Sequence, residues 1–224
     1  MTAPDRRRVV SVADGRPRPL WRGRLHLIGF LISLPAGLAL LWVADSVTAS
    51  VGVVIYALSL MALFGTSAAY HLLARSVGAQ RIMRRLDHSM IFLQIAGTYT
   101  PICLMALPPR WGRPILVVIW SAAVVGVVVK LVAGDRMLQL SNFLYIGLGW
   151  VAIIALPVIL RHLSTGEFAL LLVGGVTYTI GAVLFYYQLP RLRPAVFGYH
   201  EVWHGFTVVA ALSHFGMVWL VTAA

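Results

Sequence analysis

The sequence predicts an all-α, polytopic membrane protein: a bundle of seven transmembrane helices with its N-terminus in the cytoplasm and its C-terminus outside. Three observations carry that prediction. The 224 residues are 60% hydrophobic and only 11% charged, against ~25% charged residues in an ordinary soluble domain. The apolar residues gather into seven stretches, over about 26–44, 51–72, 86–106, 114–132, 140–160, 168–188 and 199–222. At 1.5 Å per residue each is long enough to cross a hydrocarbon core of ~30 Å. The basic residues, finally, fall almost wholly on one side of the membrane once the stretches are threaded through it.

Taken in order, residues 1–20 are rich in Arg and Pro and have no apolar core, so they are expected to form a disordered basic cytoplasmic tail ahead of a membrane domain over 21–224. No cleavable signal peptide is expected, because the first apolar run starts too far in and is too long. Asp45-Ser46 separates spans one and two, Arg81 to Arg85 spans two and three, and Pro108-Pro109-Arg110 spans three and four. Gly134-Asp135-Arg136, Ser164-Thr165-Gly166-Glu167 and Pro190 to Pro194 make the remaining breaks. Lipid offers no hydrogen bonds to the backbone, so every span must be a helix. Trp21, Trp42, Trp111, Trp150 and Trp219 fall mostly near proposed span ends, as interface anchors do. The single cysteine, Cys103, rules out an internal disulfide and reads as a small apolar residue.

With the N-terminus inside, only Arg110, Arg113 and Arg161 of the 18 Lys and Arg residues face outward. This is the positive-inside pattern. The net charge of +11 is therefore a topology signal, with attraction to anionic headgroups a secondary consequence, and nucleic acid is excluded as a partner. The only lysine is Lys130, in span four, so no Schiff-base lysine exists in span seven for a light-driven rhodopsin.

Ionisable residues within spans are costly and hence informative. Of the seven acids only Asp87 and Glu201 sit at span starts, the others lying in the tail or loops. His71 ends span two, His88 follows Asp87, and His200 and His204 open span seven. The topology drawn from arginines alone brings all of these to the cytoplasmic side. His200 and His204 are four apart, on one helical face, and with His71 supply three ligands for a metal such as zinc. The alternative is that the pair merely caps span seven or bonds between helices.

His200-Glu201-Val202-Trp203-His204 also fits the H-E-x-x-H pattern of zinc proteases. Its usual forms are excluded: no acid follows Glu201, and Ala210 stands where the extended form needs histidine. Glu201 is expected to face headgroups or an arginine, with a role as base or outer partner left open. Ser67 shares a face with His71, and Asp87, Gln94 and Thr98 form a stripe on span three. Gln94 and Thr98 read as interhelical glue. Asp87 reads either as an N-cap or ion-pair partner of Arg84 or Arg85, or as the acid that hydrogen-bonds a metal-bound water. His214 lies ~15 Å beyond His204 and is not expected to share its metal. His26 and His162 are expected at interfaces as hydrogen-bonded or solvated rings, and His88 is expected to turn away from Asp87.

Ser67-x-x-x-His71, then Leu86-Asp87-His88 running into Ala96-Gly97-Thr98-Tyr99-Thr100-Pro101, then His200-x-x-x-His204, together resemble the haemolysin III family. That family belongs with the progestin and adipoQ receptors, adiponectin receptors included, and more distantly resembles the alkaline ceramidases. The resemblance runs over roughly residues 20–222, and Pro19-Leu20-Trp21-Arg22-Gly23-Arg24-Leu25-His26 is similar to its bacterial members. It implies a multi-pass protein of the bacterial plasma (inner) membrane, with Zn2+ held by His71, His200 and His204. By the same resemblance Asp87 contacts zinc-bound water and Ser67 lies beside it.

Two function classes follow, and a third comes with the family name. The first is a zinc-dependent hydrolase of a lipid amide, ceramide-like, with Asp87 and Ser67 as catalytic residues and membrane lipids as partners. The second is a non-catalytic membrane protein for lipid sensing or homeostasis, its zinc tying helices together. The third, cytolytic pore formation, finds no amphipathic pore-lining repeat in the sequence.

Overall fold

The computed structural model describes residues 18–133, 138–193 and 195–224. It consists of helices α1 (Arg24–Val43), α2 (Val47–Leu73), α3 (Val77–Pro101), α4 (Pro109–Ala133), α5 (Leu138–Gly149), α6 (Leu156–His162), α7 (Thr165–Tyr186) and α8 (Tyr199–Ala223). A π-helical turn, Ile102–Ala106, prolongs α3, and a 3-10 turn, Trp150–Ala155, joins α5 to α6. Seven helical segments are long and apolar enough to cross a membrane, α5 and α6 together supplying the fifth. Among the described residues no strand forms. The chain is a multi-pass, all-α membrane protein. Residues 1–17 and the Gly134-Asp135-Arg136 break lie outside the described residues, as does Pro194.

The helix starts follow local chemistry. Ser46, Ser76 and Ser164 each accept a backbone N–H three residues on, from Ala49 (3.1 Å), Ala79 (3.1 Å) and Glu167 (3.3 Å). Such caps satisfy backbone donors that have no partner inside the helix. At α7 the cap is reciprocal, since the Glu167 carboxylate accepts the Ser164 N–H at 2.6 Å. The Ser76 cap corrects one expectation: α3 begins at Val77, so Arg81 to Arg85 is no break and Asp87 is no N-cap. Hydropathy falls there, but arginines are good helix formers, and neither Pro nor Gly intervenes between Gly78 and Gly97. Asp87 sits ten residues into α3, in its interior.

The fifth span is interrupted for a covalent reason. Pro157 lacks an N–H and its ring crowds the preceding turn, and the helix tightens to 3-10 geometry before it. The Tyr99 hydroxyl repairs the ladder, donating to the Gly149 carbonyl (2.8 Å) and accepting the Ala152 N–H (2.7 Å). Trp150, expected among the interface anchors, instead donates to Thr179 of α7 at 3.0 Å.

Helices α2, α3 and α8 form the interior, with 50%, 61% and 44% of their apolar windows buried, against 22% or less for the other spans. Outward faces carry large apolar side chains, such as Leu38, Trp42, Val117 and Val173, which is the pattern a lipid solvent selects. Every site residue predicted from sequence lies on the three interior helices.

Candidate metal centre

The end of α2 and the start of α8 meet at the end of the bundle from which α1 departs. Helical spacing places Ser67 and His71 on one face of α2, and His200 and His204 on one face of α8. The first turn of α8 is fixed by Glu201, fully buried, whose carboxylate accepts the Gly198 N–H (2.7 Å) and forms an ion pair with Arg22. Glu201 thus faces an arginine, and both its oxygens are engaged. It is tied down as an anchor, which removes it from the role a zinc-protease glutamate would need.

The three histidines converge. Nε2 of His71 lies 3.3 Å from Nε2 of His200, and one ring nitrogen from each of His71, His200 and His204 lies within 4.8 Å of the others. Their ring centroids stand 4.7–5.0 Å apart. Two nitrogens ~2.0–2.1 Å from a tetrahedral ion must lie ~3.3–3.4 Å apart, so the His71–His200 pair already has that bite. Nδ1 of His71 and of His204 is buried with no hydrogen-bond partner among the described residues. The donor set and its spacing fit a divalent transition metal that favours imidazole.

Asp87 stays outside the ligand trio but near it. The Ser67 hydroxyl, one helical turn before His71 on α2, reaches towards the Asp87 carboxylate. Asp87 is half-buried, while Ser67 is buried. An acid from α3 thus lies beside the histidines from α2 and α8. Gln94 does act as glue, its side-chain oxygen accepting from Ser59 of α2 (2.9 Å). Thr98 instead bonds within α3, accepting from the Gln94 side-chain amide (3.2 Å) and donating to the Gln94 backbone carbonyl (2.8 Å).

Comparison with known proteins decides what this arrangement belongs to. The profile of the family described as "Haemolysin-III related" matches residues 15–215. The chain is 32% identical over 193 residues to the "Hemolysin-3 homolog" of Bacillus subtilis (strain 168), covering 85% of this chain and 87% of that protein. It is 34% identical over 186 residues to "Hemolysin-3" of Bacillus cereus, covering 82% of each. The chain belongs to the haemolysin III family. A more distant relative of this haemolysin III protein is the human "Monocyte to macrophage differentiation factor", 26% identical over 175 residues, covering 74% of this chain and 68% of the relative.

The segment leading into α1 closes over this haemolysin III centre. Arg18 and Leu20, expected in the tail, are instead held in place. The Arg18 guanidinium donates to the carbonyls of Tyr70 (2.7 Å) and His71 (2.8 Å) and lies 4.8 Å from the Tyr70 ring centroid. Burial lowers the pKa of Arg18 from the usual arginine value, and Tyr70 and Asp87 oppose that shift. Leu20 and Trp21 donate backbone N–H groups to the carbonyls of Ala195 and Val196, both at 3.2 Å. Gly23, at φ 82°, allows the tightest approach: a Cβ there would stand 2.7 Å from Cβ of His71.

His26 corrects the sequence expectation most sharply. It is 3% exposed rather than solvated, and stacks on His204 with ring centroids 3.9 Å apart and planes 15° apart. The clue lay in the run from Pro19 to His26, but hydropathy put His26 at a span edge, where a wet ring is the default. His162 is exposed and lies 2.9 Å from the Val158 carbonyl, as an interfacial ring should. His88 lies outside the ligand trio. His214 is buried far along α8, its Nε2 3.3 Å from the Leu171 carbonyl.

Proposed function

We propose that the chain is a zinc-dependent hydrolase of lipid amides, ceramide-like in substrate class, working at the cytoplasmic leaflet. The observation that carries this is the trio of imidazole nitrogens within 4.8 Å, with the Asp87 carboxylate nearby and Ser67 reaching towards it. Zinc bound by His71, His200 and His204 would polarise the scissile carbonyl and supply a water activated near neutral pH. Asp87 takes the proton from the attacking water and returns one to the departing amine, which completes the exchange of the C–N bond for a C–O bond. Ser67 orients the Asp87 carboxylate. Substrate enters sideways from the leaflet, because the site lies at one end of the bundle and its fatty chains remain in lipid.

Held by the same three histidines, zinc would also join α2 to α8, which supports the second reading, a non-catalytic sensing or homeostasis protein. The names of the Bacillus relatives supply the cytolytic reading, and nothing among the described residues adds to it. Metal analysis of the purified protein beside a panel of lipid amides and esters separates the first two. Zinc with turnover lost in Asp87→Asn supports the hydrolase; zinc without turnover favours the structural role. Orientation has its own check: a reporter fused after Ala224 should be active only outside the cytoplasm, and one inserted at 189–198 only inside.

A further inference from the structure

We propose, on the reading of His71, His200 and His204 as metal ligands, that His26 is a positioning residue of the centre. Its ring braces His204, and one of its nitrogens receives the carbonyl or hydroxyl group of the molecule that enters beside the three ligands. His26 comes from α1, which contributes no ligand to the trio.

The brace follows from the stack. Centroids 3.9 Å apart with planes only 15° apart fix the rotation of the His204 ring about its last side-chain bond. A ligand must be held to within ~0.5 Å and ~10–20° to keep a productive metal geometry. His26 can act as a fixed wall because it is itself held. The Phe64 ring tilts against it, with centroids 5.1 Å apart. Helix α1 presses close to α2 there: a Cβ on Gly29 would lie 3.1 Å from the Phe64 ring. Arg22 and Arg18 tie the start of α1 to Glu201 and to the His71 carbonyl.

The second role follows from the residue type. Phenylalanine would give the same stack with no polar atoms to bury. Histidine buries two ring nitrogens here; the His204 backbone is within reach of one at most, and the other has no hydrogen-bond partner among the described residues. A neutral imidazole carries one N–H donor and one acceptor, and water is scarce inside a membrane bundle, so unpaired polar atoms are expensive. The ring lies 3.9 Å from that of His204, one of the three ligands on this reading. A carbonyl or hydroxyl entering beside the ligands would pair with the nitrogen left free. This chemistry matches the amide group of the substrate class proposed above, and the stack alone does not require it.

Cobalt(II) titration of the purified full-length protein tests both roles, with the visible absorption bands as a readout independent of turnover. His26→Ala should weaken cobalt binding by ~10–100-fold, as loss of an outer partner does, and should alter the bands. His26→Phe should restore affinity to within ~3-fold and recover the band shape, because the ring remains. Acetohydroxamate, added as a small carbonyl probe, should bind cobalt-loaded His26→Phe ~10-fold more weakly than the unaltered protein, the value of one net hydrogen bond. Unchanged cobalt affinity in His26→Ala overturns the brace. Unchanged acetohydroxamate affinity in His26→Phe overturns the nitrogen's role. If His26→Ala fails to fold, His26→Phe keeps the core filled and still decides the second. His71→Ala runs alongside: undiminished cobalt binding in that variant would sink the ligand assignment itself, whatever His26 does.

Discussion

Helix α8 carries two deeply buried imidazoles, ten residues apart, with different surroundings. His204 lies among rings from three helices: His26 of α1, His71 of α2 and His200 one turn back. His214 meets the Leu171 carbonyl and the Tyr178 ring of α7, and its own ring rests on Gly174, where any Cβ would overlap it. Both rings keep an unpartnered Nδ1. An orphaned nitrogen in a membrane interior is therefore not, by itself, what distinguishes a site. Convergence is: one imidazole against a backbone joins two helices, whereas three at metal-binding distance form a donor set.

Removing a member of the trio should produce the largest contrast between the two places. His71→Ala, His200→Ala and His204→Ala should each lower zinc affinity by more than the ~100-fold that outer hydrogen-bond partners cost, measured by competition with a chelator of known affinity. A smaller loss in all three would make the cluster a packing feature like His214. Next comes Asp87→Asn, which keeps shape and loses charge. If Asp87 moves the proton, lipid amide turnover at saturating zinc should fall by ~10²–10⁴-fold, while zinc affinity falls by only ~10–100-fold. Equal losses in both would make Asp87 a ligand or a fold element rather than a base.

The contrast also shows what a sequence can reveal here. The seven spans were legible because lipid imposes length and apolarity on each, and His71, His200 and His204 because helical spacing and the ends of spans two and seven bring them together. The start of α3 was not, because a helix that continues past an apolar stretch leaves no mark in hydropathy; Ser76 was the available cue. Pro157 did signal the weak point of the fifth span, but Tyr99 as the repair depends on how α3 packs. His26 and Arg18 were missed for a common reason. Arg18 lies in the expected tail and His26 at a span edge, where position alone predicts a solvated or locally hydrogen-bonded group, and only the fold of the 18–23 segment back over α2 and α8 buries them.

That segment offers a smaller effect. Arg22→Gln leaves the Glu201 carboxylate, 0% exposed, without its counter-charge between His200 and His204. Breaking a fully buried pair costs ~3–5 kcal/mol; Arg22 retains 18% exposure, so about 2–3 kcal/mol of stability is expected here. Thermal unfolding in detergent would measure it. The double variant Arg22→Gln with Glu201→Gln should recover part of the loss, because the amide still reaches the Gly198 N–H and no charge is stranded. Additive losses would mean that the pair contributes nothing as a pair.

The smallest effect on the metal should come from the other imidazole. Gly174→Ala drives a methyl group into the His214 ring, an overpacking expected to cost ~1–3 kcal/mol. His214→Ala removes the ring and its contact with Leu171, leaving a cavity between α7 and α8. Combined, the two should be less damaging than their sum, because the methyl group added at Gly174 moves into space the ring has vacated. None of the three should change zinc affinity by more than ~2-fold, since ten residues of helix set His214 ~15 Å from His204, beyond the distance at which independent sites couple. Chelator competition and thermal unfolding on the same samples would report both quantities. If His214→Ala stripped the metal while His71→Ala kept it, the donor set would lie between α7 and α8, and the convergence of α2 with α8 would be packing alone.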